Sequence, residues 1–436
     1  MARHGRDAAL HLYHTGHAAV DGLAELVDQL QLDEARLRLG GHIAAAHTPH
    51  ALAGLQATAD WVKRETGSAS VKVIDAGQVR ELTGSALFHG GLLTPHAGGL
   101  HPLNFARGLA WRLHERGVNI HVNSPALEVR EADGRFVVRT PGGQVSARQV
   151  IYATNGYSDQ TSLTASLHRR LIPFRSAIIA TEPLAPALLA SLMPGGQVCG
   201  DTKRMLRWFR VVGDRLIFGG RGAFGQHDSA SAFGTLQRSM AQVFPQLAGT
   251  AVAFQWSGLV AMTLDYLPHA GQLGENQYYA VGYNGGGVAM STWMGKQLAA
   301  MTAGTPVELG LLAGKGFNPI PLHGLRAPAC AWRRGGSNCS MRSGARGEHE
   351  SYCITGYRVA SRTPWSRRPG PATRSARAGT GTQPRPSKAG RQGAALWTAR
   401  VPHRPGPGVR WGWSRPVGWC SRAQAKSSGS RPARPS

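Results

Sequence analysis

The sequence predicts a mixed α/β (α+β) chain in which an antiparallel sheet with a face of its own is inserted into an α/β domain, and a basic tail follows. Three observations carry this. Helical patterns alternate with short apolar strands up to about residue 160 and again from about 259. Residues 171–258 read instead as successive strands punctuated by turn residues. Beyond residue 325 neither a 3.6 nor a 2.0 period survives, and the composition turns to Arg, Pro, Gly and Ser.

The elements follow in order. Residues 6–30 read as a helix with Leu12, Leu23, Leu26 and Leu30 on one stripe. Thr48 is an N-cap followed by Pro49 at the first helical position, opening a helix towards Thr66 that Gly67 stops. Asp75 caps a short helix that ends at Gly84. Pro102 starts a helix with Leu103, Ala106, Ala110 and Leu113 facing inward. Gly117 stops it, and Val118–Val122 is expected to be a strand. "ALEVREADGRFVVRT" is a hairpin with Asp133-Gly134 at its turn. "VIYATNGYS" (150–158) is a short apolar strand running into a loop. "RSAIIAT", "RMLRWFRVV" and "RLIFGG" are strands, the last two joined at Gly213-Asp214. A helix over about 229–244 and the strand "AVAFQWSG" complete the middle block. Near the end of the body, Tyr278–Val281 is a buried strand, then Gly285, Gly286 and Gly287 make a turn, and a helix opens directly from it.

Charge divides the chain. Residues 326–436 hold 22 Lys and Arg against 2 Asp and Glu, so +20 of the formal net charge of +25 belongs to the tail. The body, with 27 basic and 22 acidic residues, is nearly balanced. Two readings of the tail stay open: a disordered basic arm that binds nucleic acid through phosphates, or a coding frame that slips near residue 328. Its six tryptophans suit no linker. No run of about 18 apolar residues exists, and the first 20 residues lack an apolar signal core, so neither a membrane span nor secretion is expected. Of five cysteines only Cys199 precedes residue 326, which argues against a disulfide framework and for a reducing, cytoplasmic setting.

Several local patterns bear on chemistry. Gly220 to Gly225 spell G-x-G-x-x-G after a strand. No helix opens directly from it, and no Asp or Glu follows at 240–250 to hold a ribose, so a glycine-rich strand end is the expectation. His11, His14 and His17 recur at helical spacing without a Cys or carboxylate to complete a metal set, so no metal is expected. Neither C-x-x-C nor G-x-S-x-G occurs. The strand–glycine–helix junction at 278–288 is stronger. Glycines allow close approach of a ligand, and the helix N-terminus offers free N–H groups and roughly half a positive charge. By geometry alone it is either a ligand cradle or a plain tight turn.

Two long ordered stretches, "LLTPHAGGLHPLNFARGLAWRLHERGVNIHVNSPALEVRE…GGQVSARQVIYATNGYS" and "WSGLVAMTLDYLPHAGQLGENQYYAVGYNGGGVAMSTWMGKQLA", resemble the FAD-dependent oxidoreductases of the D-amino-acid oxidase type, nearest the gamma-glutamylputrescine oxidoreductase branch. The resemblance covers about residues 6–325. It implies an FAD cofactor, with Gly282, Tyr283, Asn284, Gly285, Gly286, Gly287 and Val288 against the flavin's pyrimidine edge, Ala126 contacting adenine through its backbone, and Thr154, Asn155 and Gly156 passing near the cofactor. It implies hydride transfer from the carbon beside a substrate amine to the flavin. His101 and His269 are the candidates for a base, with capping or packing as their other reading.

The same resemblance implies a division into 1–97 (helical and substrate-domain segments), 98–160 (FAD domain), 161–258 (antiparallel substrate domain), 259–325 (FAD domain, closing segment) and 326–436 (basic tail). Two departures matter. Glycine- and sarcosine-type oxidases place an Arg two residues after the glycine of "GL", where this chain has Val260, so a small-molecule amine such as a polyamine conjugate is expected as substrate, and not a simple α-amino acid. The family's opening strand, G-x-G-x-x-G turn and acidic ribose residue have no counterpart here, so the FAD-binding Rossmann-like domain reads as incomplete. The chain is expected to be truncated, to hold FAD weakly and to be impaired as an enzyme. A non-enzymatic, nucleic-acid-binding protein and a catalytically dead relative are the competing expectations.

Overall fold

The computed structural model describes residues 4–158, 162–203, 206–224, 230–314, 317–321, 323, 353–354 and 357–358. The chain divides into two compact units, residues 1–120 with 124–383 and residues 121–123 with 384–436, and the first is described below. The basic tail otherwise lies outside the described residues.

Local signals set the first helices. Helix α1 runs Arg6–Gln29, and strand β1 (His42–Ala45) follows it. Helix α2 (Pro49–Thr66) starts where Thr48 Oγ1 accepts the Ala51 N–H and stops at left-handed Gly67. After strand β2 (Lys72–Asp75), helix α3 (Ala76–Thr83) opens with a reciprocal capping box between Asp75 and Gln78. Strand β3 (Gly90–Thr94) leads to helix α4 (Pro102–Glu115).

Strands β4 (Glu128–Ala132), β5 (Arg135–Thr140) and β6 (Gly143–Ala147) form an antiparallel meander that turns first at Asp133-Gly134, both with positive φ. Strand β7 (Val150–Tyr152) and the short helix α5 (Ala165–His168) come next. The middle block is β8 (Ile172–Thr181), helix α6 (Pro186–Ala190), β9 (Val198–Asp201), β10 (Arg207–Val212), β11 (Arg215–Phe224), helix α7 (Ala230–Val243) and β12 (Val252–Met262). Strands β13 (His269–Gly274) and β14 (Gln277–Val281) and helix α8 (Gly287–Thr302) close the body.

An eight-stranded sheet, ordered β12-β8-β11-β10-β9-β1-β3-β2, dominates. All its pairs are antiparallel except β1 with β9. One face buries Ile43, Ile179, Phe209, Phe218 and Leu216 against Val79 of α3 and Met240, Val243 and Phe244 at the end of α7. Over β1 and β3 the other face packs on Ala51, Leu55 and Val62 of α2. A second sheet, β13-β14-β7, joins β14 to β7 in parallel and packs Tyr278 and Ala280 on Met290, Met294 and Leu298 of α8, with Ala19 of α1.

Two expectations fail. The stripe Leu103, Ala106, Ala110 and Leu113 does not face inward: Leu103 is 46% exposed and no residue of α4 is fully buried. Helix α4 packs through Phe105 and Leu109 on Leu30, Leu32 and Ala35, because Arg112 and Asn104 tie it to the carbonyls of Leu30 and Glu34. Val118–Val122 is not a strand. Its alternating pattern has no strand beside it among the described residues, and an unpaired strand forfeits the ladder that defines it. Val118 and Ile120 are exposed. The pattern at 220–225 is no phosphate loop: Gly220 lies inside β11, paired with Arg207 on one side and Ala177 on the other, and Gly225 lies outside the described residues. Among the described residues no helix is long and apolar enough to cross a membrane, and no group of three His, Cys, Asp or Glu is placed to hold a metal.

Candidate active site

Strand β14 buries Tyr278 through Val281 and then breaks at Gly282, whose φ is +81°. A Cβ there would sit 2.5 Å from the Thr263 methyl, so only glycine fits. Asn284 (φ +54°) and Gly285 (φ +103°) continue the turn, and α8 starts at Gly287. Among the described residues no side chain caps its N-terminus, and the first-turn N–H groups of any helix lack intrahelical partners. Gly285 and Val288 are exposed, and a Cβ at Gly285 would meet open space.

Two asparagines hold the inner side of this turn. Asn284 donates from Nδ2 to the Gly282 carbonyl and, at 3.2 Å, to Thr263 Oγ1, while its Oδ1 accepts the Thr263 N–H at 2.9 Å and its backbone N–H donates to the Ala261 carbonyl. Asn155, in the helical turn just after β7, accepts the Gly282 N–H on Oδ1 at 2.9 Å. Asn155 has φ +40°, a strained position that costs of order 1 kcal/mol for most residues and that Asn tolerates best. Its neighbours are fixed too. Thr154 Oγ1 and Ser158 Oγ are 2.7 Å apart, and a Cβ on buried Gly156 would strike the Leu259 carbonyl at 2.9 Å. Tyr283 is pushed up to about 12 by burial, so its hydroxyl stays protonated.

Behind the turn lies a sealed pair. His269, opposite Val281 at the start of β13, is fully buried. Its Nε2 lies 3.1 and 3.2 Å from the Asp265 carboxylate, and its ring stacks on Phe317 at 4.6 Å. Among the described residues its buried Nδ1 has no hydrogen-bond partner. Burial pushes the Asp265 carboxyl up, but hydrogen bonding and charge from His269, with the Leu267 N–H and Thr263, outweigh it and hold the group below the usual range. Thr263 Oγ1 donates to the Leu267 carbonyl at 2.8 Å, so the β12–β13 turn and the glycine turn form one hydrogen-bonded block.

The structure therefore brings Asn155, Gly282, Tyr283, Asn284, Gly285, Gly286, Gly287 and Val288 together, with Thr154 and Gly156 adjoining. Ala126 is exposed in the segment before β4 and outside this network. His101 is also outside it: its Nδ1 accepts the Asn104 N–H at 3.3 Å, capping α4. Thr263 and Asp265 are the members that sequence reasoning passed over. The signal was the "TLDYLPH" turn, where Asp265 Oδ1 accepts the N–H two residues on.

Three exposed apolar side chains adjoin the block in sequence: Tyr157 after Asn155, Leu264 after Thr263, and Val288 after Gly287. The arrangement offers N–H groups without intrahelical partners at a positive helix end, with the exposed Val288 side chain in the same turn. It suits a flat apolar ligand with one anionic edge.

Comparison with known proteins gives this geometry its setting. The family described as FAD dependent oxidoreductase (DAO) matches residues 2–301. The chain is 32% identical over 250 residues to a probable oxidoreductase OrdL of Haemophilus influenzae, covering 57% of each. It is 30% identical over 256 residues to gamma-glutamylputrescine oxidoreductase of Escherichia coli, covering 58% of this chain and 60% of that one. It thus spans less than two thirds of these curated relatives. In fold it is similar to glycine oxidase from Geobacillus kaustophilus (TM-score 0.59, 18% identity, 70% of this chain and 81% of that one). It is similar likewise to iminodiacetate oxidase from Chelativorans (TM-score 0.59, 16% identity, 70% and 84%). The match over residues 2–301 takes in the whole block from Asn155 to Val288, and the chain belongs to the DAO family of FAD-dependent oxidoreductases.

Proposed function

We propose that this chain is an amine oxidoreductase that holds FAD weakly, with the glycine turn and the first turn of α8 receiving its flavin-ring end. The observation that carries this reading is the sorting of polar groups at the turn. The inward ones are taken by Asn155 and Asn284, and the helix N-terminus is left uncapped on the open side. That end carries roughly half a positive charge and suits a ring edge that gains negative charge on reduction. Val288, in the first turn of α8, leaves an apolar side chain exposed beside that end.

Bound FAD would supply the oxidising power, taking a hydride from the carbon beside the substrate nitrogen. The chain's own part is placement and charge. On β12, Val260 pairs with buried Phe174 and offers no donor to a carboxylate. This supports an amine without an α-carboxylate, such as a polyamine conjugate, as does the similarity to gamma-glutamylputrescine oxidoreductase of E. coli. His269 is sealed behind the turn and held by Asp265, so its part in this reading is to fix the β12–β13 turn. His101 serves as a cap for α4.

The test is reconstitution. Purified chain is incubated with FAD, freed of excess, and mixed without oxygen with an N-acylated diamine or with glycine. Retained visible absorbance that bleaches faster with the diamine is expected. A colourless protein would sink the cofactor reading, and faster bleaching with glycine would overturn the substrate class.

A further inference from the structure

We infer that Asn155 is a positioning residue: its side chain extends the β7–β14 ladder past the end of β7 and thereby fixes which face of the glycine turn its N–H groups present. Only the ligand arm of the test below rests on the proposed FAD function. The ladder itself gives the reason. Parallel pairing of β14 with β7 ends at Tyr279 with Tyr152, and antiparallel pairing with β13 ends at Val281 with His269. The next backbone donor, Gly282 N–H, has no strand residue beside it. Asn155 Oδ1 fills that place at 2.9 Å, from 127 residues away in sequence.

The supports on either side leave the peptide little freedom. The Gly282 carbonyl is taken by Asn284 Nδ2, and the Thr263 methyl closes the space a side chain would need. Asn155 is itself held. Its carbonyl accepts from both the Ser158 N–H and Ser158 Oγ, and Gly156 lies against the Leu259 carbonyl of β12. The Asn155 side chain thus joins the segment after β7 to the glycine turn, while the adjoining Gly156 backbone lies against β12. With Gly282 N–H and C=O both turned inward, the first-turn N–H groups of α8 are the donors left for a ligand. Without the Asn155 acceptor, the Gly282 peptide would be free to rotate its N–H outward, and the helix start would lose its fixed approach.

Two variants separate this from a plain structural role. Asn155→Gly keeps the left-handed conformation without strain and removes the acceptor. Asn155→Asp keeps an acceptor at the same place. In the ligand-free chain, amide exchange at Gly282 is expected to speed up about 5-fold in Asn155→Gly, the worth of one ordinary hydrogen bond, and to stay near wild type in Asn155→Asp. With FAD added, Asn155→Gly is expected to bind about 5-fold to 10-fold more weakly and to shift the visible flavin band, while its melting temperature falls by only the few degrees that one lost hydrogen bond is worth. Asn155→Asp should keep the wild-type band position. Unchanged exchange at Gly282 in Asn155→Gly would overturn the inference. So would Asn155→Asp exchanging as fast as Asn155→Gly, or an affinity loss that merely tracks a lower melting temperature. If the wild-type chain takes up no FAD, the functional reading fails, while the exchange comparison still decides the role of Asn155.

Discussion

The eight-stranded sheet and the block around the glycine turn belong to one chain but manage their surfaces in opposite ways. In the large sheet, Phe209 stacks on Phe218 at 5.7 Å and meets Phe244 edge-on at 5.1 Å, and all three are at most 2% exposed. Its strands pair in long ladders, broken by register shifts at Arg221/Phe224 and Val252/Phe254. At the glycine turn, hydrogen bonds close the inner side, and the first turn of α8 keeps N–H groups without intrahelical partners beside exposed Gly285 and Val288. The first arrangement maximises burial. The second holds a backbone shape that burial alone would not choose, and side-chain hydrogen bonds supply what packing does not.

The largest effect should come from breaking the closed region. Phe218→Ala leaves a cavity in the middle of the aromatic cluster and is expected to cost about 3–5 kcal/mol of stability in denaturant unfolding. Exchange at the glycine turn should barely change, because local opening there does not require the large sheet to unfold. If the turn's amides speed up in step with the global loss, the two regions are a single cooperative unit and the contrast fails.

A second effect of similar origin is pH-dependent. His42 on β1, beside Gly200 of β9, is lowered to about 4 by burial. Its unfolded value is about 6.5. Above that pH neither state binds the proton. Between 6.5 and 4 the unfolded chain binds one that the native chain refuses, so stability falls as pH falls, levelling off below 4 at a loss of at most about 3 kcal/mol because His42 keeps part of its surface in water. His42→Gln should flatten this part of the stability–pH curve. An unchanged slope in the variant would show that His42 titrates as freely in the fold as out of it.

What could be read from the sequence divides along the same line. Thr48, Asp75 and the Asp133-Gly134 turn act on residues two or three away, and each stands in the structure where the sequence predicts it. The glycine turn was legible because glycine itself carries the conformational information. Strand β1 was not: "HIAA" becomes a strand through parallel pairing with β9, with His42 opposite Val198. Val118–Val122 failed for the reverse reason, an alternating pattern with no neighbour to pair with. The acceptor role of Asn155 and the link through Thr263 depend on contacts 127 and 21 residues apart, which no local pattern encodes.

The smallest and most selective prediction concerns Thr263. Its hydroxyl donates to the Leu267 carbonyl and accepts from Asn284 Nδ2, while its methyl fills the space above Gly282. Thr263→Val removes the hydroxyl and keeps that methyl; Thr263→Ser does the opposite. Because Thr263 is only 3% exposed, the valine takes the Thr263 donor from the Leu267 carbonyl and an acceptor from part-buried Asn284 Nδ2, which keeps the Gly282 carbonyl, and should cost about 1–2 kcal/mol. The serine loses only packing. If hydrogen bonds shape the turn, Thr263→Val should speed amide exchange at Asn284 and Gly282 more than Thr263→Ser does. If packing shapes it, the order reverses, and the glycine turn then obeys the same rule as the large sheet.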